Sequence, residues 1–163
     1  MKQYKKGFYG GKFMPLHKGH KYCIETASQQ CDEVFAILFF GGADEYEIHK
    51  NFTEADLSVF YRYRHLQKLC EQYENVRPVF IDVSSCRLPD GSEDWDAETP
   101  LVIEKIGKFD AVYSSEESYG EYFSRAYPWA EHVLVDPPRI VYPISGTEIR
   151  SMKNEEEKNL WKI

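Results

Sequence analysis

Apolar residues along the chain fall into two alternating patterns, continuous runs and helical repeats. Residues 34–40 are seven apolar residues in succession, which is typical of a strand buried on both faces of a parallel sheet. Ahead of this run, Cys23, Ala27 and Cys31 recur at four-residue intervals, which predicts an amphipathic helix. A short β-type run at residues 6–9 comes before that helix. The beginning of the chain therefore predicts a β–α–β unit.

The alternation of strands and helices continues over the rest of the chain. Further apolar runs predict strands at residues 76–83, 110–113 and 131–135. Helical spacing and end signals predict helices at residues 56–74, 99–107, 119–127 and from 146 onward. Thr99-Pro100 is a typical helix start, and Ser145 with Glu148 forms a capping box for the last helix. This order predicts a doubly wound α/β fold with a five-stranded parallel sheet, in which ligands bind at the carboxyl ends of the strands near the topological switch point.

The composition limits the classes of protein that the chain can represent. With 20 basic and 27 acidic side chains its formal net charge is −7, which argues against a non-specific nucleic-acid binder. No apolar run approaches the roughly 18 residues of a membrane span, and no apolar signal segment follows the basic N-terminus. The four cysteines form no CxxC pair, which favours reduced thiols and a cytoplasmic location. We expect a single domain over residues 1–163, with a C-terminal helix and tail from about residue 145.

The segment GGKFMPLHKGH, at residues 10–20, joins the first predicted strand to the first predicted helix. Its glycines allow close backbone approach to a ligand, and a helix start offers unpaired N–H groups. His17 and His20 lie three residues apart and can both direct a ring N–H toward phosphate oxygens, while Lys12 and Lys18 add positive charge. A turn with simply exposed histidines and a histidine pair that binds a metal remain alternatives to a phosphate site.

A second candidate segment, at residues 144–150, follows the last predicted strand. By itself it is a well-capped helix start. In a doubly wound sheet, however, this helix start can face the same crevice as the first one. Arg150, one turn into the helix, could then contact the outer phosphates of a nucleoside triphosphate through its planar guanidinium.

Together the two segments resemble the (H/T)xGH and ISxTxxR signatures of the nucleotidylyltransferase superfamily. The chain is most similar to the nicotinamide mononucleotide (NMN) adenylyltransferase domain of bacterial enzymes that also carry ribosylnicotinamide kinase. The similarity runs over residues 7–150 and includes Asp94-Trp95-Asp96 and the segment VLVDPPR at residues 133–139. Glu98 stands where that family has a second tryptophan, and the chain has no Walker lysine for a kinase.

The resemblance implies a Rossmann-like enzyme that transfers the adenylyl group of ATP to NMN, giving NAD and pyrophosphate. Magnesium is expected to arrive with ATP, with no metal held by the protein itself. The implied catalytic residues are His17, His20, Lys12 and Arg150. The implied ATP-binding residues are Gly10, Gly11, Phe13, Met14, Gly19, Ser145, Thr147 and Arg139. The implied NMN-binding residues are Trp95, Asp96, Ser114, Ser115 and Glu116.

Several alternatives stay open beside this interpretation. Trp95, in the polar segment at residues 84–98, could anchor its loop, Asp96 could cap the next helix, and residues 114–116 could form an ordinary turn. The acceptor could be another phosphate, such as phosphopantetheine, or the chain could be a non-catalytic sensor of pyridine nucleotides. The expected partners are ATP and NMN, without nucleic acid or membrane, and a homo-oligomer stays open.

Overall fold

The computed structural model describes residues 2–163 and contains one five-stranded sheet. Each pair of neighbouring strands is parallel, and the order across the sheet is β3-β2-β1-β4-β5. The strands are β1 (Tyr4–Gly11), β2 (Cys31–Phe40), β3 (Val76–Asp82), β4 (Ala111–Ser114) and β5 (Glu131–Leu134). The predicted doubly wound α/β fold is confirmed. The chain builds one half of the sheet outward from β1 and then returns to β4, which places the topological switch point between these two strands.

Helices of varied length lie between the strands and after the last one. They are α1 (Lys18–Gln30), α2 (Ala43–Asn51), α3 (Val59–Cys70), α4 (Trp95–Ile106), α5 (Gly120–Ala126), α6 (Gly146–Ser151) and α7 (Glu155–Asn159). Short 3-10 helices precede α3 and α5, at Ala55–Leu57 and Glu117–Tyr119. Among residues 2–163, none of the helices combines the length and the apolar composition that crossing a bilayer requires.

The central strands are buried on both faces, as the continuous apolar run predicts. Neighbouring residues of a strand point to opposite faces, so Phe8 packs on one side of the sheet and Tyr9 on the other. Ile37 likewise joins the core that contains Phe8, while Leu38 joins the opposite core. The four cysteines are buried and free, as expected of reduced thiols.

Two details at the beginning of the sheet differ from the sequence prediction. Cys31 belongs to β2 rather than to the preceding helix, because it pairs with Tyr4 in the register of β1 and β2. The helix α2 was not predicted, since its sequence ADEYEIHKN has no apolar stripe. Its one buried side chain is Glu45, which makes polar contacts that a hydrophobic pattern does not reveal.

The start of α4 also differs from the prediction. The helix begins at Trp95 rather than at Thr99, with Asp94 as its N-cap, because the Asp94 carboxylate accepts the N–H of Ala97. Pro100 lies inside the helix instead of in its first turn, while Gly107 ends it with a φ of +71°, as predicted. Trp95 is therefore a helical residue, and Glu98 lies one turn after it on the same side.

Candidate active site

One large cleft lies at the carboxyl ends of β1 and β4, where the strand order reverses. Its volume is about 420 Å³. The turn after β1, the end of β4, the first turns of α4 and α6 and the loop after β5 contribute to its walls. The cleft therefore occupies the position in which a doubly wound sheet binds its ligands.

All of the predicted site residues except Asp96 line this cleft. Those that line it are Gly10, Gly11, Lys12, Phe13, Met14, His17, Gly19, His20, Trp95, Ser114, Ser115, Glu116, Arg139, Ser145, Thr147 and Arg150. Asp96 is exposed, and its carboxylate accepts hydrogen bonds from Arg125 at 3.1 and 3.3 Å. Because one step along a helix turns the side chain by about 100°, Asp96 points away from the cleft that Trp95 lines.

His17 and His20 both cap backbone N–H groups at the start of α1. Nδ1 of His17 accepts the N–H of Gly19 at 3.1 Å, and Nδ1 of His20 accepts the N–H of His17 at 3.1 Å. A neutral imidazole carries its proton on the nitrogen that does not accept, so each ring has its N–H at Nε2. Both histidines can therefore donate a hydrogen bond from Nε2 while their Nδ1 atoms hold the turn.

The two rings are stacked with their centroids 3.6 Å apart. Burial, with a smaller contribution from Arg139, lowers the pKa of His17 to about 4. Burial together with His17 and Arg139 lowers the pKa of His20 well below its usual value. Both rings are therefore neutral near pH 7. With an exposed fraction of 3%, His17 also does not fit the alternative of simply exposed histidines.

Gly19 allows this arrangement because it leaves room for the ring of His17. A Cβ atom at position 19 would lie 2.9 Å from a carbon of that ring, closer than such contacts occur. A larger residue would push His17 away from the N–H group that it caps. The glycine between the two histidines is thus required by packing.

Arg139 is held in the cleft by the loop after β5. Its guanidinium donates to the carbonyl oxygen of Ile144 at 2.6 Å and forms an ion pair with Glu116. Its backbone has a φ of +54°, a conformation that non-glycine residues rarely adopt. The carboxylate of Asp136 supports this loop by accepting backbone N–H groups from residues 140–142. The arginine therefore presents a fixed positive charge near the two histidines.

Arg150 reaches the turn after β1 from α6. Its Nη1 donates to the carbonyl oxygen of Met14 at 2.6 Å and its Nη2 to the hydroxyl of Thr147 at 3.2 Å. Its Nε is buried and finds no hydrogen-bond partner within residues 2–163. The predicted cap is present, since the Ser145 hydroxyl accepts the N–H of Glu148 at 3.1 Å. The two candidate segments are thus brought into direct contact, although their sequences lie far apart.

The end of β4 forms another wall through three polar residues. The Ser114 hydroxyl lies 2.6 Å from Nε2 of His132, and the Ser115 hydroxyl lies 3.2 Å from the thiol of Cys23. Glu116 pairs with Arg139. Both serine hydroxyls already have protein partners, so this wall is a prearranged polar surface.

The part of the cleft around Trp95, its aromatic end, is lined by rings. The Trp95 ring makes edge contacts with Tyr119 and Tyr122, with centroids 5.2 and 5.4 Å apart. Its Nε1 donates to Glu93 at 3.0 Å. Glu98 also lines this end. Flat rings and carboxylates together form a surface suited to a flat cationic ring.

The comparisons with known proteins agree with this architecture. A family model described as cytidylyltransferase-like matches residues 8–152. The chain belongs to the cytidylyltransferase-like family. This assignment confirms the predicted membership of the nucleotidylyltransferase superfamily.

Relatives of this cytidylyltransferase-like protein include the trifunctional NAD biosynthesis/regulator protein NadR of Escherichia coli strain K12, 33% identical over 146 residues. That match covers 86% of this chain and 35% of NadR, so the chain spans about a third of that relative. The nicotinamide-nucleotide adenylyltransferase of Thermococcus kodakarensis is 28% identical over 155 residues, which cover 94% of this chain and 74% of that protein. A crystal structure of NadR in complex with NAD and AMP-PNP has the same fold, with a TM-score of 0.69 at 21% identity over 99% of this chain and 45% of that one.

The cytidylyltransferase-like site depends on a buried ion pair that the sequence did not reveal. Arg62 of α3 and Glu45 of α2 are 1% and 3% exposed and bind each other. Arg62 also donates to the carbonyl oxygen of Lys12 at 2.8 Å, and Glu45 accepts the N–H of Gly41. The pair therefore supports the turn after β1, which leads to the two histidines. The sequence offered one signal of this pair: Arg62 is a charged residue in the buried stripe of α3.

Among the cleft residues that were missed as site residues, four lie around Trp95. They are Glu93, Glu98, Tyr119 and Tyr122. Two signals in the sequence could have found them. A helix that starts after Asp94 places positions 95 and 98 on the same side, and Tyr119 and Tyr122 are likewise three residues apart. The misplaced helix start at Thr99 concealed the first of these signals.

Proposed function

We propose that this chain transfers the adenylyl group of ATP to NMN, forming NAD and releasing pyrophosphate. The lining of the cleft carries the proposal: one part, the phosphate end, presents His17, His20, Arg139 and Arg150, and the aromatic end presents rings with two carboxylates. NMN has the matching polarity, since its phosphate is anionic and its pyridinium ring is a flat cation. The names of the relatives, which refer to NAD biosynthesis and nicotinamide-nucleotide adenylyl transfer, support the same acceptor.

The proposed reaction needs no protein nucleophile. A phosphate oxygen of NMN attacks the α-phosphorus of ATP, a new P–O bond forms, and the bond from that phosphorus to the bridging oxygen of the β-phosphate breaks. The electron pair leaves with pyrophosphate. Catalysis then consists of holding the two substrates in line and stabilising the negative charge that develops on the phosphates.

The phosphate end supplies donors for this charge. We assign the Nε2–H groups of His17 and His20 to the triphosphate, and the cations Lys12 and Arg150 to the departing pyrophosphate. Lys12 pairs with exposed Asp44 at 3.1 Å, a contact that an incoming phosphate can replace. Gly10, Gly11, Phe13, Met14, Gly19, Ser145, Thr147 and Arg139 complete the proposed ATP site.

Magnesium belongs to this scheme as part of the substrate, MgATP. Among residues 2–163, no three His, Cys, Asp or Glu side chains are grouped so as to hold a metal ion. The side chains facing the phosphate end are mainly cations and imidazoles, which suit phosphate oxygens better than a divalent cation. We therefore assign the ion to phosphate oxygens and water, the ligands that Mg²⁺ ordinarily keeps.

The aromatic end is assigned to the pyridine ring of NMN, with Trp95 as its stacking partner and residues 114–116 beside it. We assign no contact to Asp96, because it pairs with Arg125 outside the cleft.

A turnover assay tests the proposed function. The protein is incubated with MgATP and, in separate reactions, with NMN, deamidated NMN or phosphopantetheine, and the products are separated by chromatography. We expect NAD and pyrophosphate from NMN. If product forms with phosphopantetheine and with neither pyridine nucleotide, the acceptor is a different phosphate. If NMN binds but no product forms, the chain is a sensor.

Arg150→Lys is expected to weaken the use of ATP. Lysine keeps the charge but cannot donate to the Met14 carbonyl and a phosphate from one planar group. We expect a fall in kcat/KM for ATP of roughly five- to thirty-fold, equivalent to about 1–2 kcal/mol. Steady-state kinetics with ATP as the varied substrate measure this change.

Arg125→Lys is the matched control for Arg150→Lys, because Arg125 is also bound to an oxygen partner but lies outside the cleft. It should leave the kinetics unchanged. If Arg150→Ala also leaves both kcat and the KM for ATP unchanged, the segment at residues 144–150 is only a helix cap.

Trp95→Ala is expected to raise the KM for NMN by roughly five- to thirty-fold, the loss of about 1–2 kcal/mol for a cation stacked on an indole. The KM for ATP should stay nearly constant, because the proposed triphosphate contacts come from other segments of the chain. Trp129→Ala is the control, since Trp129 is similarly exposed, 41% against 38%, but does not line the cleft. An equal rise in both KM values with a lower Tm would show that Trp95 only anchors the start of α4.

A further inference from the structure

Two glutamates occupy the aromatic end of the cleft. Glu98 lies one turn after Trp95 on α4 and is half-buried. Glu93 precedes the helix, and its Oε2 accepts the indole N–H of Trp95 at 3.0 Å. The other oxygen of Glu93, Oε1, is buried and has no hydrogen-bond partner within residues 2–163. Glu93 therefore places a carboxylate directly beside Trp95, and one of its oxygens, packed against Gly42, is not hydrogen-bonded by the described residues.

Charged and titratable groups from several elements act on Glu98. They are Glu93 and Asp94 before α4, Arg87 and the thiol of Cys86 after β3, Lys12 after β1, and the phenols of Tyr122 and Tyr127 from α5 and its end. Burial raises the pKa of Glu98 to about 7, and the nearby Glu93 carboxylate adds to this effect. Glu98 thus changes from carboxylic acid to carboxylate near neutral pH.

We propose that Glu98, together with Glu93, makes the site select the amide form of the pyridine mononucleotide over its deamidated, carboxylate form. The inference rests on the proposed function, because it assumes that the pyridine ring binds beside Trp95. Both forms carry the same pyridinium cation, so stacking on the aromatic rings does not separate them. Only the ring substituent differs.

The ring substituents respond in opposite ways to an ionised glutamate. The carboxamide of NMN offers N–H donors, which a carboxylate accepts. The deamidated form presents a carboxylate, which has no donor and is repelled by a second negative charge in a partly buried site. When Glu98 is protonated, its O–H can donate to either substituent. Selectivity is therefore expected to rise with pH as Glu98 ionises.

The test compares kcat/KM for NMN and for deamidated NMN between pH 6 and 8 in the full chain. In the wild type, the preference for NMN should increase with pH. In Glu98→Gln, the amide can donate to the substrate carboxylate and carries no charge. We expect its preference to fall about ten- to hundredfold at pH 8, mainly through better use of the deamidated form, and to become independent of pH.

Glu104→Gln is the matched control, since Glu104 is an exposed glutamate on the same helix and lies outside the cleft. This variant should keep the wild-type ratio of kcat/KM for NMN to kcat/KM for deamidated NMN, and the same dependence of that ratio on pH. Titration calorimetry of each nucleotide, without ATP, gives the same comparison independently of catalysis, and Tm measurements verify folding. If folded Glu98→Gln keeps the wild-type preference for NMN over deamidated NMN and the same change of that preference with pH, the inference is wrong. The proposed function would still stand. A wild-type protein that neither binds nor adenylates either nucleotide contradicts both.

Discussion

His20→Ala is expected to lower kcat for adenylyl transfer by roughly 10²–10³, the effect of removing one donor aimed at developing charge. The ring of His20 has its Nδ1 occupied by the N–H of His17, so its Nε2–H is the group available to a phosphate. Because the charge on the phosphates grows as the reaction proceeds, the loss should appear mainly in kcat and less in KM. Single-turnover and steady-state kinetics with MgATP and NMN measure it.

Folding controls are needed, because both histidines also cap α1. His17→Asn keeps a side chain that caps helices well but removes the imidazole, so it should fold normally and still lose activity. Lys18→Ala, at an exposed position between the histidines and outside the cleft, should retain nearly full kcat. Wild-type kcat in a folded His20→Ala protein would remove the histidine pair from the mechanism.

Arg62→Met is expected to cost about 3–5 kcal/mol of unfolding free energy. The substitution leaves the carboxylate of Glu45 buried without its cation and removes the hydrogen bond to the carbonyl oxygen of Lys12. Since a domain of this size is stable by roughly 5–15 kcal/mol, the variant should unfold at a markedly lower urea concentration. Urea unfolding followed by circular dichroism measures the difference.

Two further variants separate the loss of the ion pair from a general effect of the substitution. Arg64→Met, at an exposed position of the same helix, should change stability by less than about 0.5 kcal/mol. Combining Glu45→Gln with Arg62→Met removes both buried charges, so the double variant should be more stable than Arg62→Met alone. Equal urea midpoints for Arg62→Met and Arg64→Met would contradict this account of the buried pair.

Interactions between residues close in the sequence were predictable from it. The apolar run at residues 34–40 indicated a strand buried on both faces, and the segment at residues 10–20 indicated the strand–turn–helix connection in which His17 caps α1. Ser145 was correctly predicted as an N-cap. Each of these features depends on contacts within a few residues or on a period of two or 3.6, which the sequence displays directly.

The tertiary structure decided the features that depend on distant contacts. Arg150 meets the carbonyl oxygen of Met14 only because the sheet brings the ends of the chain together. Nothing in the sequence pairs Arg62 with Glu45, and their joint burial follows from the packing of α2 and α3 beneath the turn after β1. Burial and a neighbouring carboxylate likewise give Glu98 its pKa of about 7. The sequence by itself determined most of the elements and pointed to the two candidate segments, whereas the environment of each buried charge was set by three-dimensional packing, because desolvation and Coulomb interactions depend on distance in space and not on separation along the chain.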